Sequence, residues 1–216
     1  MRVGNVTLKE LLDVLIIVGL VALFLITFVI RTFYIPSVSM VPTLQVRDLL
    51  LVDEIAYRVA RPHDGDVALF IPPVPAGGND FVKRVIGVPG DTIAIRDGIV
   101  FRNGLRLVEP YENQPPAYDL AIRNYAIYVD GTPLDSHGAN VPPRALWQAP
   151  DRVPNGFYFV LGDNRNYSDD SHVWGFAQLH GSFARGPLAG RKIEAAFTGR
   201  AFAIVWPLDR LRVLEK

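Results

Sequence analysis

The sequence predicts a mostly β protein, in which an antiparallel sheet domain follows one membrane-spanning helix. Two observations lead to this prediction. A single long apolar segment lies near the amino terminus, and the remaining chain consists of short apolar runs separated by turn-forming Pro, Gly, Asp and Asn residues. Hydrophobic residues make up 50% of the 216 residues, so the chain can bury a substantial core.

The apolar segment runs from Val14 to Ile30, 17 residues without a charge between Asp13 and Arg31. As a helix it would extend about 25 Å, at the short end of what spans a bilayer. The residues after Arg31 offer no small-residue cleavage site of the kind that ends a removed signal peptide. We therefore expect residues 1–34 to form a transmembrane anchor, with a buried core helix as the alternative.

Strand-like runs follow the anchor, and two dipeptides typical of tight hairpin turns, Asp97-Gly98 and Asn103-Gly104, join three of them. Residues 109–154 are rich in proline and polar residues, with one alternating stretch at Asn124–Val129, and we predict an inserted β-ribbon or loop lobe there. Residues 35–108 and 155–216 then form the main domain. Its predicted strands are Leu49–Val52, Asp66–Phe70, Asp80–Val88, Thr92–Ile95, Ile99–Phe101, Leu105–Leu107, Gly156–Leu161 and Ala201–Trp206.

Composition excludes several kinds of partner and cofactor. The 22 basic and 22 acidic residues balance and form no basic patch, so the sequence gives no reason to expect nucleic-acid binding. There is no cysteine, which excludes thiolate catalysis and cysteine-bound zinc. The four histidines lack the spacing of metal-binding motifs. We predict no metal and no cofactor.

Two serines directly after the apolar segment are candidate functional residues. Ser37 and Ser39 lie between Pro36 and Pro42, which disfavour helix and stiffen the chain. Ser39 is the candidate nucleophile. On these residues alone an ordinary Pro/Ser linker after a membrane anchor is an equal alternative.

The candidate base is Lys83, one of only four lysines among the 22 basic residues. Strand alternation places Lys83 on one face with Phe81 and Val85, and Arg84 on the other face. Burial would lower the pKa of the lysine and leave a neutral amine able to accept a proton from a serine hydroxyl. The alternative is an edge strand whose basic side chains reach solvent. No histidine lies in a recognisable triad motif, and lysine is the known substitute.

Four blocks in this order resemble the bacterial type I signal peptidases, membrane-bound Ser/Lys endopeptidases that remove signal peptides from exported proteins. The blocks follow the anchor and are Pro36–Leu44, Gly65–Val67, Val82–Asp91 and Gly162–Gly175, the last beginning Gly-Asp-Asn-Arg and containing Ser168, Asp170 and Trp174. No single block is decisive, but the four in order are highly specific.

The resemblance implies a role for each matching residue. Ser39 would be the nucleophile, Lys83 the general base and Ser37 the side-chain donor that joins the Ser39 backbone N–H at the oxyanion. Ser168 would hydrogen-bond to the Lys83 amine and orient it. Further support for the site would come from Asp163, Asn164, Asp170 and His172, and shallow substrate pockets would be lined by Ile35, Pro36, Met40, Leu44, Phe81 and Val82.

The implied partners are signal-peptide-bearing preproteins and the lipid bilayer. The protein would lie in a bacterial inner membrane, with its amino terminus in the cytoplasm and its catalytic domain outside. His172 stands where the family usually has Arg, Asn166-Tyr167 replaces Asp-Asn, and Ala177–Ile193 replaces a short connection. Two alternatives remain: a related Ser/Lys peptidase that processes a dedicated substrate such as a conjugation pilin, and a membrane-tethered β adaptor without catalysis.

Overall fold

The computed structural model describes residues 8–71, 80–134, 150–179, 181–182, 192–193 and 197–214. The helices are α1 (Leu8–Phe28), α2 (Ala56–Val59), α3 (Ser171–Trp174) and a 3₁₀ helix at Leu208–Arg210. The strands are β1 (Ile30–Tyr34), β2 (Leu49–Asp53), β3 (Val67–Phe70), β4 (Phe81–Gly87), β5 (Ile93–Arg96), β6 (Ile99–Arg102), β7 (Leu105–Arg106), β8 (Leu120–Arg123), β9 (Ala126–Val129), β10 (Thr132–Pro133), β11 (Phe157–Leu161), β12 (Ala177–Gln178), β13 (Gly181–Ser182), β14 (Lys192–Ile193), β15 (Phe197–Trp206) and β16 (Arg212–Val213). Parts of the predicted lobe and of the Ala177–Ile193 connection lie outside the described residues, namely 135–149 in the lobe and 180 and 183–191 in the connection.

Helix α1 covers most of the apolar segment. Its described large apolar side chains are exposed; Leu15, Leu20 and Leu23, for example, are each 58% to 62% exposed. No helix in the described part of the chain combines the length and the apolar character needed to cross a bilayer. The transmembrane anchor therefore stays a prediction.

The helix ends at Phe28, and the chain turns at once into a strand that the sequence analysis missed. Strand β1 pairs antiparallel with β2, from Ile30 opposite Asp53 to Tyr34 opposite Leu49. The change from helix to strand is hard to predict because Ile30 continues the apolar run of the helix. The β-branched and aromatic residues of Ile30–Tyr34 nevertheless favour a strand. Both candidate serines consequently lie in the loop, residues 35–48, that closes a β-hairpin.

The larger sheet has the strand order β1-β2-β15-β3-β4-β11-β12, with β16 paired to β15. Strand β4 is internal, between β3 and β11. Both of its basic side chains are therefore buried, Lys83 at 4% and Arg84 at 1% exposure. The alternative in which the basic side chains of an edge strand reach solvent is wrong, because both side chains are buried, although β11 pairs with β4 only from Arg84 onward.

The second sheet has the order β10-β9-β8-β5-β6-β7. Asp97-Gly98 and Asn103-Gly104 have positive φ at both positions, so the two predicted hairpin turns are confirmed. Asn124 and Tyr125, predicted as strand residues, form a turn with φ of 50° and 60° between β8 and β9. Strand β8 pairs with β5, so described residues of the predicted lobe complete this sheet. The domain division at residue 109 stays a prediction.

Three apolar clusters hold the sheets together. One lies between the two sheets and includes Ile86, Ile95 and Leu161. Another, which includes Phe70, Val85 and Trp174, packs on the larger sheet. The third combines residues of β2, β3, β4 and β15 with Ile35, Met40 and Leu44 from the loop that carries the serines. The core thereby fixes this loop against β4.

Candidate active site

The loop of residues 35–48 is tied at its base as well as anchored by apolar side chains. Ile35 donates its backbone N–H to the carbonyl of Asp48 at 2.9 Å, and Arg47 donates to the carbonyl of Ile35 at 2.9 Å. The Asp48 carboxylate accepts from Arg210 at 2.8 and 2.9 Å. These contacts leave little freedom at the base of the loop, so the serines that follow Ile35 closely in sequence have a defined position.

The two candidate serines lie side by side near the start of this loop. The Oγ atoms of Ser37 and Ser39 are 3.3 Å apart, within hydrogen-bond distance, and either can be the donor. Ser39 is only 9% exposed. A hydroxyl with a second hydroxyl beside it is the arrangement needed for a nucleophile and an oxyanion donor.

Lys83 on β4 is buried and faces the same side of the molecule as these serines. Burial lowers the pKa of Lys83 from 10.5 to about 8, although the charges of Asp170, Asp169 and Asp163 act in the opposite direction. The Lys83 Nζ lies 5.3 Å from the centroid of the Phe81 ring. Among the described residues it makes no ion pair or hydrogen bond that would hold it in the charged form. A neutral amine, able to accept a proton, is therefore accessible near neutral pH.

A cavity of about 650 Å³ brings the predicted residues together. Ser37, Ser39, Lys83, Ser168 and His172 all line it. Of the predicted pocket residues, Ile35, Pro36, Met40, Phe81 and Val82 line it as well. Leu44 is absent from the lining: it is fully buried in the same core cluster as Ile35 and Met40, and so supports the wall.

Ser168 lies in this lining, but the hydrogen bond predicted between it and the Lys83 amine is not formed. Its Oγ is buried and has no partner among the described residues. Leaving a buried hydroxyl without a hydrogen bond costs folding free energy, so a partner is expected for it. The Lys83 amine and a bound substrate are the candidates.

The segment after β11 packs directly on the backbone of Ser39. Asn164 donates its backbone N–H to the Ser39 carbonyl and its Nδ2 to the Val38 carbonyl, each at 3.1 Å. A Cβ at Gly162 would collide with the Ser39 carbonyl oxygen and the Ser168 Oγ. The close approach requires glycine at this position, and it links the positions of Ser39 and Ser168.

Asp163 supports the site through Arg84 rather than through Lys83. The Arg84 guanidinium donates to both Asp163 oxygens, at 2.9 and 2.8 Å, and both side chains are at most 1% exposed. Arg84 also donates to the Gly65 carbonyl at 3.0 Å and lies 3.7 Å from the centroid of the Tyr111 ring. No role for Arg84 was predicted from the sequence, although two basic residues on opposite faces of one apolar strand were a signal that one of them is buried.

Asp170 is the acceptor that fixes the start of α3. It accepts from the Gly162 backbone N–H at 2.8 Å and from the His172 backbone N–H at 3.2 Å. The Nδ1 of His172 lies 2.7 Å from the same carboxylate, so the two residues pair. The His172 ring stacks on Tyr118, with centroids 4.3 Å apart. The histidine thus fills the place that the resemblance gives to an arginine.

A second buried pair, Arg165 with Glu109, was not anticipated. The guanidinium donates to both Glu109 oxygens, at 2.9 and 2.7 Å. Nearby, Asn113 donates its N–H to the Asp163 carbonyl at 3.0 Å. Arg165 and Glu109 lie 56 residues apart in sequence, so no local sequence pattern predicts that they pair. These contacts fasten residues 109–113 to the segment that touches Ser39.

The arrangement matches one class of enzyme. A serine hydroxyl on a fixed loop and a buried lysine of lowered pKa, facing one cavity, are the components of a serine hydrolase that uses lysine as its base. Residues 8–206 match the family described as "Signal peptidase, peptidase S26".

Individual relatives agree with this match. The chain is 39% identical over 175 residues to a probable signal peptidase I-1 of Synechocystis, covering 78% of this chain and 75% of the relative. It is 36% identical over 171 residues to signal peptidase IB of Staphylococcus aureus, covering 77% and 82%. A crystal structure of a signal peptidase I from Enterococcus faecalis aligns with 55% of this chain and 91% of its own, at 32% identity and a TM-score of 0.38. The chain belongs to the signal peptidase family, as the ordered sequence blocks predicted.

Proposed function

We propose that this protein is a serine endopeptidase that removes signal peptides from exported preproteins, with Ser39 as nucleophile and Lys83 as general base. The observation that carries the proposal is a lysine buried in the cavity of Ser39, with its pKa lowered to about 8. Family membership favours this reading over a non-catalytic adaptor.

In the first half of the reaction, Ser39 Oγ attacks the carbonyl carbon of the scissile peptide bond while the neutral Lys83 amine takes the hydroxyl proton. The resulting tetrahedral oxyanion accepts hydrogen bonds from the Ser39 backbone N–H and the Ser37 hydroxyl. Collapse of this intermediate breaks the C–N bond. The leaving amine takes the proton from Lys83 and departs as the new amino terminus of the mature protein.

In the second half, Lys83 accepts a proton from water, and the resulting hydroxide attacks the acyl-enzyme ester. The same two donors hold the second oxyanion. Breaking the ester bond returns the proton to Ser39 Oγ and releases the signal peptide with a free carboxylate. Ser168, whose Oγ has no described partner, can bond to the lysine amine and hold it toward Ser39 during both halves.

Substrate binding is proposed along β4. Pairing between β4 and β11 ends at Arg84 opposite Leu161, which leaves residues 81–83 without a described strand partner on that side. An extended peptide can add to this edge by backbone hydrogen bonds. Its small side chains before the cut would then contact Ile35, Met40 and Val82 in the cavity wall.

The decisive test combines variants with an active-site label. Ser39→Ala and Lys83→Arg should each abolish cleavage of a preprotein panel, because alanine lacks the hydroxyl and arginine does not deprotonate. An acylating phosphonate or lactam should label the wild type stoichiometrically and leave Ser39→Ala unlabelled. Lys9→Arg, a change at an exposed lysine on α1, is the matched control. Turnover by purified Lys83→Arg would reject Lys83 as the base, and sequencing the new amino termini would separate a general peptidase from one with a dedicated substrate.

We also propose that α1 attaches the domain to the bacterial inner membrane as a single pass, with the amino terminus in the cytoplasm. The support is the continuous exposure of its large apolar side chains, such as Leu11, Leu15 and Leu23. Residues from Ile35 onward should be digested by protease added outside right-side-out vesicles. Alkaline extraction then distinguishes an inserted helix from a peripheral one. Protection of the whole domain would contradict the orientation.

A further inference from the structure

The described lining of the active-site cavity contains charged side chains of both signs, and they differ in how far they are balanced. It contains two carboxylates, Asp80 and Asp169, whereas its basic residues are Lys83 and His172. Lys83 must be neutral to act as a base, so it does not offset these charges during catalysis. A carboxylate in the lining that no cation balances attracts oppositely charged ligands.

The two carboxylates differ in how far they are already balanced. Asp80 lies 3.6 Å from the Arg31 guanidinium and accepts from the Thr198 hydroxyl at 3.2 Å. Asp169 is exposed, and among the described residues it has neither a hydrogen bond nor an ion pair. It is therefore the carboxylate available to a ligand.

The neighbours of Asp169 in the cavity lining suit a long cationic side chain. Tyr167 is 68% exposed and presents an aromatic ring, on whose face a cation can lie. Val173 on α3 is 48% exposed and offers an apolar contact for a methylene stem. Together with the carboxylate, these three side chains provide each kind of contact that lysine and arginine make.

We propose that Asp169, Tyr167 and Val173 form a subsite that selects substrates with a lysine or arginine side chain close to the cleaved bond. This inference rests on the proposed function and assigns the three residues to specificity, not to the chemical steps. An exposed ion pair of this type should change kcat/KM by about two- to fivefold, and added salt should reduce the effect.

The experiment uses one preprotein in matched versions that carry Lys, Gln or Glu at a single position, scanned along both sides of the cut. For each position the ratio of kcat/KM for the Lys version to that for the Glu version is measured. The ratio matters because Asp169 also acts on the pKa of Lys83, and a change in that pKa affects both versions alike. The enzymes are the wild type, Asp169→Asn, Asp169→Lys and Tyr167→Leu.

At one or more positions the wild type should favour the Lys version. Asp169→Asn should bring the ratio close to one, Asp169→Lys should favour the Glu version, and Tyr167→Leu should lower the ratio in part. Asp209→Asn, which removes an exposed carboxylate outside the cavity lining, should leave it unchanged. A ratio of one at every position in the wild type, or an equal ratio in Asp169→Asn, overturns the subsite. Failure to cleave any version, the Gln version included, instead overturns the proposed function.

Discussion

The lysine on β4 illustrates how burial turns an ordinary side chain into a base. A solvated lysine is almost fully protonated at neutral pH, whereas desolvation lowers the pKa of Lys83 to about 8. Its side chain is 4% exposed and next to the Phe81 ring, and the charges of three nearby aspartates offset the effect of burial on its pKa only in part. Arginine at this position would stay charged at every accessible pH.

The pH dependence of activity follows from the direction of this shift. Because the amine must be neutral to accept a proton, kcat/KM should rise with pH, reach half its maximum near pH 8 and then level off. The free energy of unfolding changes in the same direction. Between about pH 8 and pH 10.5 this lysine is mostly protonated in the unfolded chain and mostly neutral in the folded chain, so the free energy of unfolding rises with pH. Initial rates at low substrate concentration measure the activity profile, and a rise displaced to the ordinary lysine pKa of 10.5 would contradict the buried base.

The hydroxyl of Ser37 should act on the transition state and not on substrate binding. Its Oγ lies 3.3 Å from that of Ser39, and the oxyanion it would stabilise exists only after attack. We expect Ser37→Ala to lower kcat by about 100- to 1000-fold with little change in KM. Ser37→Thr keeps the hydroxyl and serves as the matched control. A rise in KM at unchanged kcat would instead indicate a role in substrate binding.

At the scale of elements, the site is made by strand β4 and two loop segments, the hairpin loop of residues 35–48 and the segment that follows β11. Asn164 and Gly162 lie against the Ser39 backbone, and the buried Arg84–Asp163 pair joins the second segment to β4. The serine and the lysine are thus held by the same segment, which couples their positions.

Gly162 tests this coupling. Gly162→Ala would place a methyl group against the Ser39 carbonyl oxygen and the Ser168 hydroxyl, so the two segments must move apart. We expect a loss of about 1–3 kcal/mol in the free energy of unfolding and a larger relative loss of activity. Gly19→Ala on α1, where a Cβ meets nothing within 4 Å, is the control. Thermal unfolding and kcat/KM measure the effects, and wild-type activity in Gly162→Ala would show that the close approach is not required.

At the scale of the whole molecule, the two sheets share one apolar cluster, and the connection between β7 and β8 returns to the site. Residues 109–113 in this connection bind the segment after β11 through Glu109 and Asn113. The second sheet therefore supports the catalytic residues through its packing and through this connection.

The Arg165–Glu109 pair provides the test at this scale. Glu109→Ala removes the carboxylate that accepts both hydrogen bonds from a fully buried guanidinium and leaves only Glu112, at 3.9 Å, as its ion-pair partner. This should cost about 3 kcal/mol of unfolding free energy, the lower end of what breaking a buried pair costs. Replacing both residues, as Glu109→Leu with Arg165→Met, should restore part of this loss. The control is Asp64→Ala, which removes the exposed carboxylate of the Arg102–Asp64 ion pair. This change should cost under about 1 kcal/mol of unfolding free energy. Chemical denaturation measures all three, and equal losses in Glu109→Ala and Asp64→Ala would contradict the structural role of the buried pair.

The sequence by itself determined much of the local structure and the family. Asp97-Gly98 and Asn103-Gly104 specify tight turns because both positions require positive φ, and the alternation around Lys83 fixes which residues share a face. The ordered blocks identified the signal peptidase family. In these cases the physical cause is local: a backbone conformation, a period, or a short run of residues.

Only the tertiary structure decided how these parts meet. Strand β1 exists because β2 pairs with it, and Asn124-Tyr125 turns because β8 and β9 pair across it. Burial of both Lys83 and Arg84 depends on which strands flank β4, and the Arg84–Asp163 and Arg165–Glu109 pairs join residues 79 and 56 positions apart. Desolvation and buried ion pairs depend on neighbours that are distant in the chain, so the pKa of Lys83 and the fixed position of Ser39 follow from the folded arrangement.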